Sequence, residues 1–292
     1  MKNACHLLCL SILISGIILP ARSQTHDAPL LLPEMTWVDV QSYLEINDMV
    51  IIPLGSIEQH GPHLPEGADI LGAIELSKKI SARTNVLVAP ILMVGYSEYH
   101  SGFPGTLSIS PETMEQVVFE CVESLIKHGF KRFMFFNAHG GNNIVQTNLI
   151  HRIAHTTGAN AVAIGVGSAL WPTEGKDDYD FHAGKFETSV DLCMFPELVQ
   201  MDKAEKPIIY STPEAEELKS LSDNHPELKP IWQSMLFLPE ETRKGGATHQ
   251  ISSNGVYSYN DPKDASAEYG QQFVDEIVNN AVDLIEAWKM AN

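Results

Sequence analysis

The sequence predicts an α/β fold with helices on both faces of a mostly parallel central sheet, a three-layer α/β/α arrangement. Two observations lead there. Short apolar runs rich in β-formers recur along the chain, each bounded by turn residues. Between them lie longer segments with helical apolar spacing and their own start and stop residues. Strands that alternate with helices pair in parallel, and a parallel sheet needs cover on both faces. The length of 292 residues suits one such domain, expected over residues 24–292.

The elements follow in order. MVIIPLG (49–55) reads as a buried strand, and a helix begins near Asp69, whose carboxylate is placed to cap it. VLVAPILMV (86–94) is the next strand and opens into the Gly-rich loop GYSEYHSGFPGT. Pro111 and Glu112 start a helix that His128 and Gly129 stop. KRFMFFN (131–137) is a strand, and the turn AHGGNN converts it into the helix NIVQTNLIHRIAH. AVAIGV (161–166) is a further strand. From 197 to 250 the pattern loosens into polar, Pro-containing sequence, expected as an elaborated surface region or flap. A helix from about 263 closes the chain. Its stripe of Phe273, Ile277, Ala281, Leu284, Ile285 and Trp288 is core or subunit packing.

The N-terminus reads differently. Lys2, the uncharged run ACHLLCLSILISGIILP and the small-residue site before Gln24 form a secretory signal, residues 1–23. That run is short for a membrane span, so the expectation is an exported protein, periplasmic or secreted, with no membrane attachment. The net charge is −18, and processing removes Lys2 and Arg22 but no acid, leaving −20. Such a balance repels nucleic acid and anionic membranes. Processing also leaves two cysteines, Cys121 and Cys193, both in helical runs. They are expected as buried free thiols, with a disulfide as the alternative in an oxidising compartment.

In a parallel sheet, reactions sit beyond the carboxyl ends of the strands. Glu58 and His60 follow the first strand, Ser97 and His100 the second, and His139 the third, before a Gly140-Gly141 turn. His182 and Glu187, in DFHAGKFETS, follow the fourth. Glu58 and His60 are two apart, so on extended backbone they share a side. Imidazoles with several carboxylates form an N/O donor set suited to Zn, Mn or Fe. A carboxylate such as Asp69 can bridge paired ions.

GSIEQHGPHLP with its following Asp69, the FPGT loop, NAHGGNN and HAGKFETS together resemble the creatininase family of metal-dependent amidohydrolases, in order from about residue 34 to 199. NGVYSYNDPKDAS (254–266) is a weaker echo. The resemblance implies a creatininase-like three-layer fold, two divalent metal ions and hydrolysis of a C–N bond in an amide or cyclic amide by a metal-activated water. It implies that Glu58 and His139 bind one ion and His60 the other, with Asp69 bridging. His182 would be the general acid/base, and Ser97 would lie at the substrate pocket. A homo-oligomer, with a hexamer as one form, is implied as well.

One position departs from the pattern. Creatininases proper carry a carboxylate two residues after the histidine that matches His139, as a ligand of the second ion. Here Gly141 stands there, and Glu187 is the nearest candidate to supply the oxygen. Relatives with a Gly-Gly turn include enzymes acting on formamides and enzymes trimming a modified peptide, so the family does not fix the substrate. In the implied mechanism, backbone N–H groups of the Gly140-Gly141 turn hold the oxyanion and His182 protonates the leaving nitrogen. The alternatives are a peptidase or formamide hydrolase of the same chemistry and, in another class, a non-catalytic exported metal- or ligand-binding protein.

Overall fold

A computed structural model describes residues 28–172, 180–211, 213–233 and 248–291. The signal-like segment 1–23 lies outside the described residues, as does part of the 197–250 region. Among the described residues no helix is long and apolar enough to cross a membrane.

Thr36 opens the first helix, α1 (Trp37–Leu44), through a capping box with Asp39, an arrangement worth about 1 kcal/mol. Strand β1 (Met49–Leu54) follows, with all six residues buried, as a strand covered on both faces must be. Helix α2 (Ala68–Thr84) ends at Asn85, in the left-handed conformation that asparagine tolerates. Strand β2 is short, Leu87–Val88. The run to residue 94 predicts a longer one, but Ala89 makes the last ladder bond, to Ile51 O, and Pro90 has no N–H to continue it. Helix α3 (Pro111–His128) starts and stops where predicted, with Gly129 at φ 116° closing it. Strand β3 (Arg132–Asn137), helix α4 (Asn143–Thr156) and strand β4 (Asn160–Ala163) complete the regular α/β part.

The four strands run parallel in the order β2-β1-β3-β4. Alternation along β1 divides the core. Val50, Ile52 and Leu54 face α1, α3 and α4, packing with Phe133, Phe135, Val118 and Leu149. Met49 and Ile51 face the other way, against Leu76 and Ile80 of α2 and the last helix, α9 (Ala267–Met290). Two helical layers therefore enclose the sheet. The apolar stripe of α9 is core: Ile277, Ala281 and Ile285 are buried against this second face, with Leu284 and Trp288 at its margin, and Phe273 is buried against Phe186.

The rest of the chain builds onto that edge. Strand β5 (Asp180–His182) and helix α5 (Lys185–Met194) come before α6 (Pro213–Ser222), α7 (Lys229–Gln233), α8 (Thr248–Ile251) and strand β6 (Tyr257–Ser258). β5 and β6 form a separate antiparallel pair. DFHAGKFETS is expected as a segment following the fourth parallel strand; its first residues prove to be a strand of their own. The described part of 197–250 is not all surface, since Trp232 is buried and packs edge-on against Phe181. Cys121 and Cys193 are free thiols, but each is partly exposed rather than buried, on the outer margins of α3 and α5.

Candidate metal centre

Strands β1 and β3 pair in register from Met49–Arg132 to Leu54–Asn137, so both stop at the same level. The chain after each strand therefore leaves the sheet at one edge, which brings the Glu58–His60 loop beside His139. Gly55 lets the loop after β1 turn under α2, because a β-carbon there would lie 2.5 Å from Ile70 Cα. The next turn delivers Asp69 in the first turn of α2. Asp69 does not cap this helix; Gly67 is the cap residue, and the Asp69 carboxylate turns to the histidines.

Glu58 is the hub, with 1% of its surface exposed. Its Oε1 lies 3.3 Å from His139 Nδ1, 3.3 Å from His100 Nε2 and 3.8 Å from His182 Nδ1, while Oε2 accepts from Ser56 Oγ at 2.9 Å. Asp69 spans two imidazoles, Oδ1 at 3.3 Å from His60 Nε2 and Oδ2 at 3.0 Å from His139 Nδ1. The second approach is an ion-pair contact, since Oδ2 has no aligned hydrogen-bond partner. Two groups of three ligand atoms converge among these buried residues, Glu58 with Asp69 and His139, and Glu58 with His60 and His182. In each group the atoms lie within 4.8 Å of one another.

The three histidines share one orientation rule. His60 Nδ1–H donates to Glu58 O at 3.0 Å, His139 Nε2–H to Tyr96 O at 2.9 Å and His182 Nε2–H to Gln59 O at 2.6 Å. A carbonyl oxygen can only accept, so each bond sets the tautomer and leaves the other ring nitrogen aimed at the carboxylates. Ligand histidines in metal sites are held this way, one nitrogen on the ion and the other on a backbone or carboxylate acceptor.

Charge follows the same geometry. Burial acts to raise the Glu58 pKa, yet the imidazoles of His100, His139 and His182 outweigh it and hold the carboxyl well below the usual range. Burial acts to lower the pKa of His60 and His139, but the charges of Asp69 on the first and Glu58 on the second push both well above the ordinary value. The carboxylates thus draw positive charge into a dry site. A divalent ion would supply that charge and displace those protons. His182 behaves oppositely. Burial and the neighbouring His60 charge lower its pKa to about 4, so its Nδ1 carries a lone pair at neutral pH.

The structure brings Glu58, His60, Asp69, His139 and His182 together. Glu187 stands beside them, outside both ligand groups. Its Oε2 accepts from the Ala183 N–H at 2.5 Å and lies 3.9 Å from His182 Nδ1. That bond holds Ala183 at φ 52°, a backbone form costly for alanine, directly after His182. Gly140 and Gly141 line the cavity, but Ser97 does not. Ser97 is fully buried behind His139, its Oγ 3.3 Å from His139 Nε2 and in a short contact with Ser56 Oγ. His63, outside either ligand group, bonds Thr188 Oγ1 at 2.8 Å and ties the β1 loop to α5.

Sequence reasoning gives no role to four neighbours. His100 packs on His182 with ring centroids 4.1 Å apart, and Gln59 donates its side-chain amide to Gly255 O, anchoring the β6 segment. Tyr99 Oη lies 3.2 Å from His139 Nε2, and Asp191 lines the cavity from α5. The position of His100 in the loop after β2 is a usable signal; a helical aspartate such as Asp191 offers none. The cavity measures about 470 Å³, the size of a small-molecule pocket.

The sequence model of the family described as "Creatinine amidohydrolase" matches residues 33–285. The chain belongs to the creatininase family. It is 31% identical over 256 residues to the mycofactocin precursor peptide peptidase of Mycolicibacterium smegmatis, covering 82% of this chain and 85% of that protein. It is 32% identical over 192 residues to the creatinine amidohydrolase of Pseudomonas putida, covering 58% and 74%. A 3-dehydro-scyllo-inosose hydrolase of Thermotoga maritima is 28% identical over 58% of each. Among solved structures, a manganese creatininase superposes with a TM-score of 0.66 at 22% identity, covering 89% of this chain and 98% of that one. A variant creatininase of Zn–Zn type gives 0.66 at 23%, with the same coverage. Creatininase-family folds thus share this α/β architecture, and members are solved with zinc and with manganese.

Proposed function

We propose that this creatininase-family chain is an exported amidohydrolase that holds two divalent ions, Zn, Mn or Fe, and hydrolyses the C–N bond of a small amide or cyclic amide. The observation that carries the reading is the common orientation of His60, His139 and His182, each with one N–H on a backbone carbonyl and one free nitrogen on Glu58 and Asp69. Glu58, Asp69 and His139 would hold one ion, and His60 with Asp69 the other, Asp69 offering one oxygen to each side. Bound there, the ions would supply Lewis acidity and lower the pKa of a water toward neutrality.

The chain's own residues account for the remaining steps. His182 Nδ1, unprotonated at neutral pH and 3.9 Å from Glu187 Oε2, is the atom placed to take a proton and later return it to the leaving nitrogen. It therefore begins the cycle as a base, and becomes an acid only after that first transfer. The Gln59 carbonyl keeps this nitrogen aimed at the cavity. Gly140 and Gly141 line the cavity in the turn that leads into α4, where backbone N–H groups can receive an oxyanion. Tyr99, Phe186 and Trp171 wall the cavity.

Export rests on the leader at 1–23 and the acidic balance. A homo-oligomer belongs to the same reading. One observation favours a peptide-trimming variant of this chemistry: the match to the mycofactocin precursor peptide peptidase spans 82% of the chain, that to the creatinine amidohydrolase 58%.

The test is metal content per chain on protein purified without chelator, beside His60→Ala and Asp69→Ala. About two ions in the parent and fewer in both variants is expected. Little metal under replete conditions would end the hydrolase reading and favour the binding-protein alternative. With metal established, creatinine, formamides and short peptides would be screened side by side.

A further inference from the structure

One ionisable group in the cavity has no use in the chemistry above. Asp191 sits on α5 one helical turn after Glu187, so both face the cavity. It is 4% exposed, its Oδ2 has no hydrogen-bond partner, and no lysine or arginine lines the cavity among the described residues. The wall around it is apolar, built from Leu76 of α2, Val190 and Met194 of α5 and Ile277 of α9. Burial pushes the Asp191 pKa up to about 7, against the pull of His60 and with the help of Glu187 and Asp69. A buried acceptor without a partner costs stability. Among the described residues none pairs with this oxygen, and a group that enters the cavity is placed to do so.

We propose that Asp191 is a specificity residue that receives an N–H cation, an ammonium or guanidinium carried on an apolar spacer away from the scissile amide. The proposal rests on the hydrolase reading for its substrate, an amide that also bears a basic nitrogen. The chain's charge of −18 would draw such cations toward it. Among the described residues that line the cavity, Asp191 is the carboxylate set in the apolar wall, apart from Glu58, Asp69 and Glu187, where an organic cation would meet it.

The test is calorimetric titration of metal-replete protein with n-butylammonium, n-butylguanidinium, 1-butanol and pentanamide. Wild type, Asp191→Asn and Asp191→Leu are compared, with metal content measured for each. Wild type is expected to bind the two cations about 10- to 100-fold more tightly than butanol, the size of a charge-assisted hydrogen bond. That preference should fall to within about three-fold in both variants at equal metal content. Equal binding of cation and alcohol by wild type would overturn the proposal, as would a preference that survives Asp191→Asn. Tighter binding of pentanamide than of the cations would overturn it too, by making Asp191 a protonated donor. Loss of the fold in both variants would make Asp191 structural and end the proposal. A metal-replete protein that hydrolyses no amide would end the hydrolase reading while leaving these binding results decisive for Asp191.

Discussion

Gly141 lines the cavity beside His139, and the structure makes it a sharp test of the site. A β-carbon built on Gly141 would lie 2.5 Å from His139 Nε2, 2.6 Å from Tyr99 Oη and nearer still to the Tyr96 carbonyl oxygen. Ordinary contact begins at 3.4 Å, so Gly141→Ala must open these gaps by about 0.9 Å. The Tyr99 phenol can swing aside; the Tyr96 carbonyl is backbone and resists, so the His139 ring must yield. That carbonyl accepts the 2.9 Å bond from His139 Nε2–H, and a shift of this size stretches it to about 3.8 Å, beyond hydrogen-bond range. His139 then loses the contact that fixes its tautomer. Loss of such an orienting partner typically costs about 10- to 100-fold in metal affinity, and the overpacking itself about 1–3 kcal/mol of stability.

The assay is competition for zinc against a chromogenic chelator, with thermal unfolding measured in parallel. Affinity within about three-fold of the parent would refute the reasoning. A double variant, Gly141→Ala with Tyr99→Phe, separates the two clashes. Full recovery in the double variant would show that only the phenol was displaced, and the carbonyl argument would fail. The same crowding explains why a carboxylate cannot be restored at this position by a single Gly141→Glu exchange. Its stem meets the same carbonyl, so that variant should bind less metal rather than more.

Three further outcomes can be checked. His182→Ala should retain metal, because Glu58, Asp69, His60 and His139 remain, while turnover falls about 10²–10⁴-fold; unchanged turnover would remove the proton-carrying role. Chelation should lower the unfolding temperature, since a site filled at 100 times its Kd contributes about 2.7 kcal/mol to stability; a scan unmoved by chelator would mean that no ion is bound to the folded chain. Asp191, with its folded pKa raised to about 7 from 3.8, binds more protons folded than unfolded between those values, so stability should fall as pH rises through this window. In chelated protein, Asp191→Asn should match the parent near pH 4 and exceed it by up to about 4 kcal/mol at pH 8; equal pH profiles in urea titrations would refute the shift.

How much of this was legible in the sequence depends on how each residue is held. The candidate ligands sit in short contiguous motifs after strand ends, and strand ends can be read from apolar runs. Once β1 and β3 are recognised as parallel neighbours, Glu58, His60 and His139 must meet at one edge. Asp69 follows because α2 begins there. His182 reaches the site by a less readable route. It is carried on β5, whose partner β6 lies some seventy-five residues further on, and no local pattern announces a two-residue strand such as Tyr257–Ser258. The length of β2 is misjudged for a related reason: an apolar run with Pro90 in its middle reads as one strand, although the missing N–H ends the ladder.

The pocket wall is the least readable part, and the cause is physical. Helix α5 contributes Phe186, Glu187, Val190, Asp191 and Met194 to the cavity, and their spacing is that of any helix face turned inward. What makes Asp191 different from a solvated helical aspartate is the packing of α2 and α9 over it, helices that begin more than a hundred residues earlier and some seventy-five later in the chain. The candidate ligands are legible because they are unusual residues gathered in the turns after strands. The cavity wall is made by ordinary residues in regular helices, and its character appears only when distant elements close over them. In this chain the Glu58–His60–Asp69–His139 cluster can be read from the strand ends, whereas the surroundings of Asp191 become visible only in the folded structure.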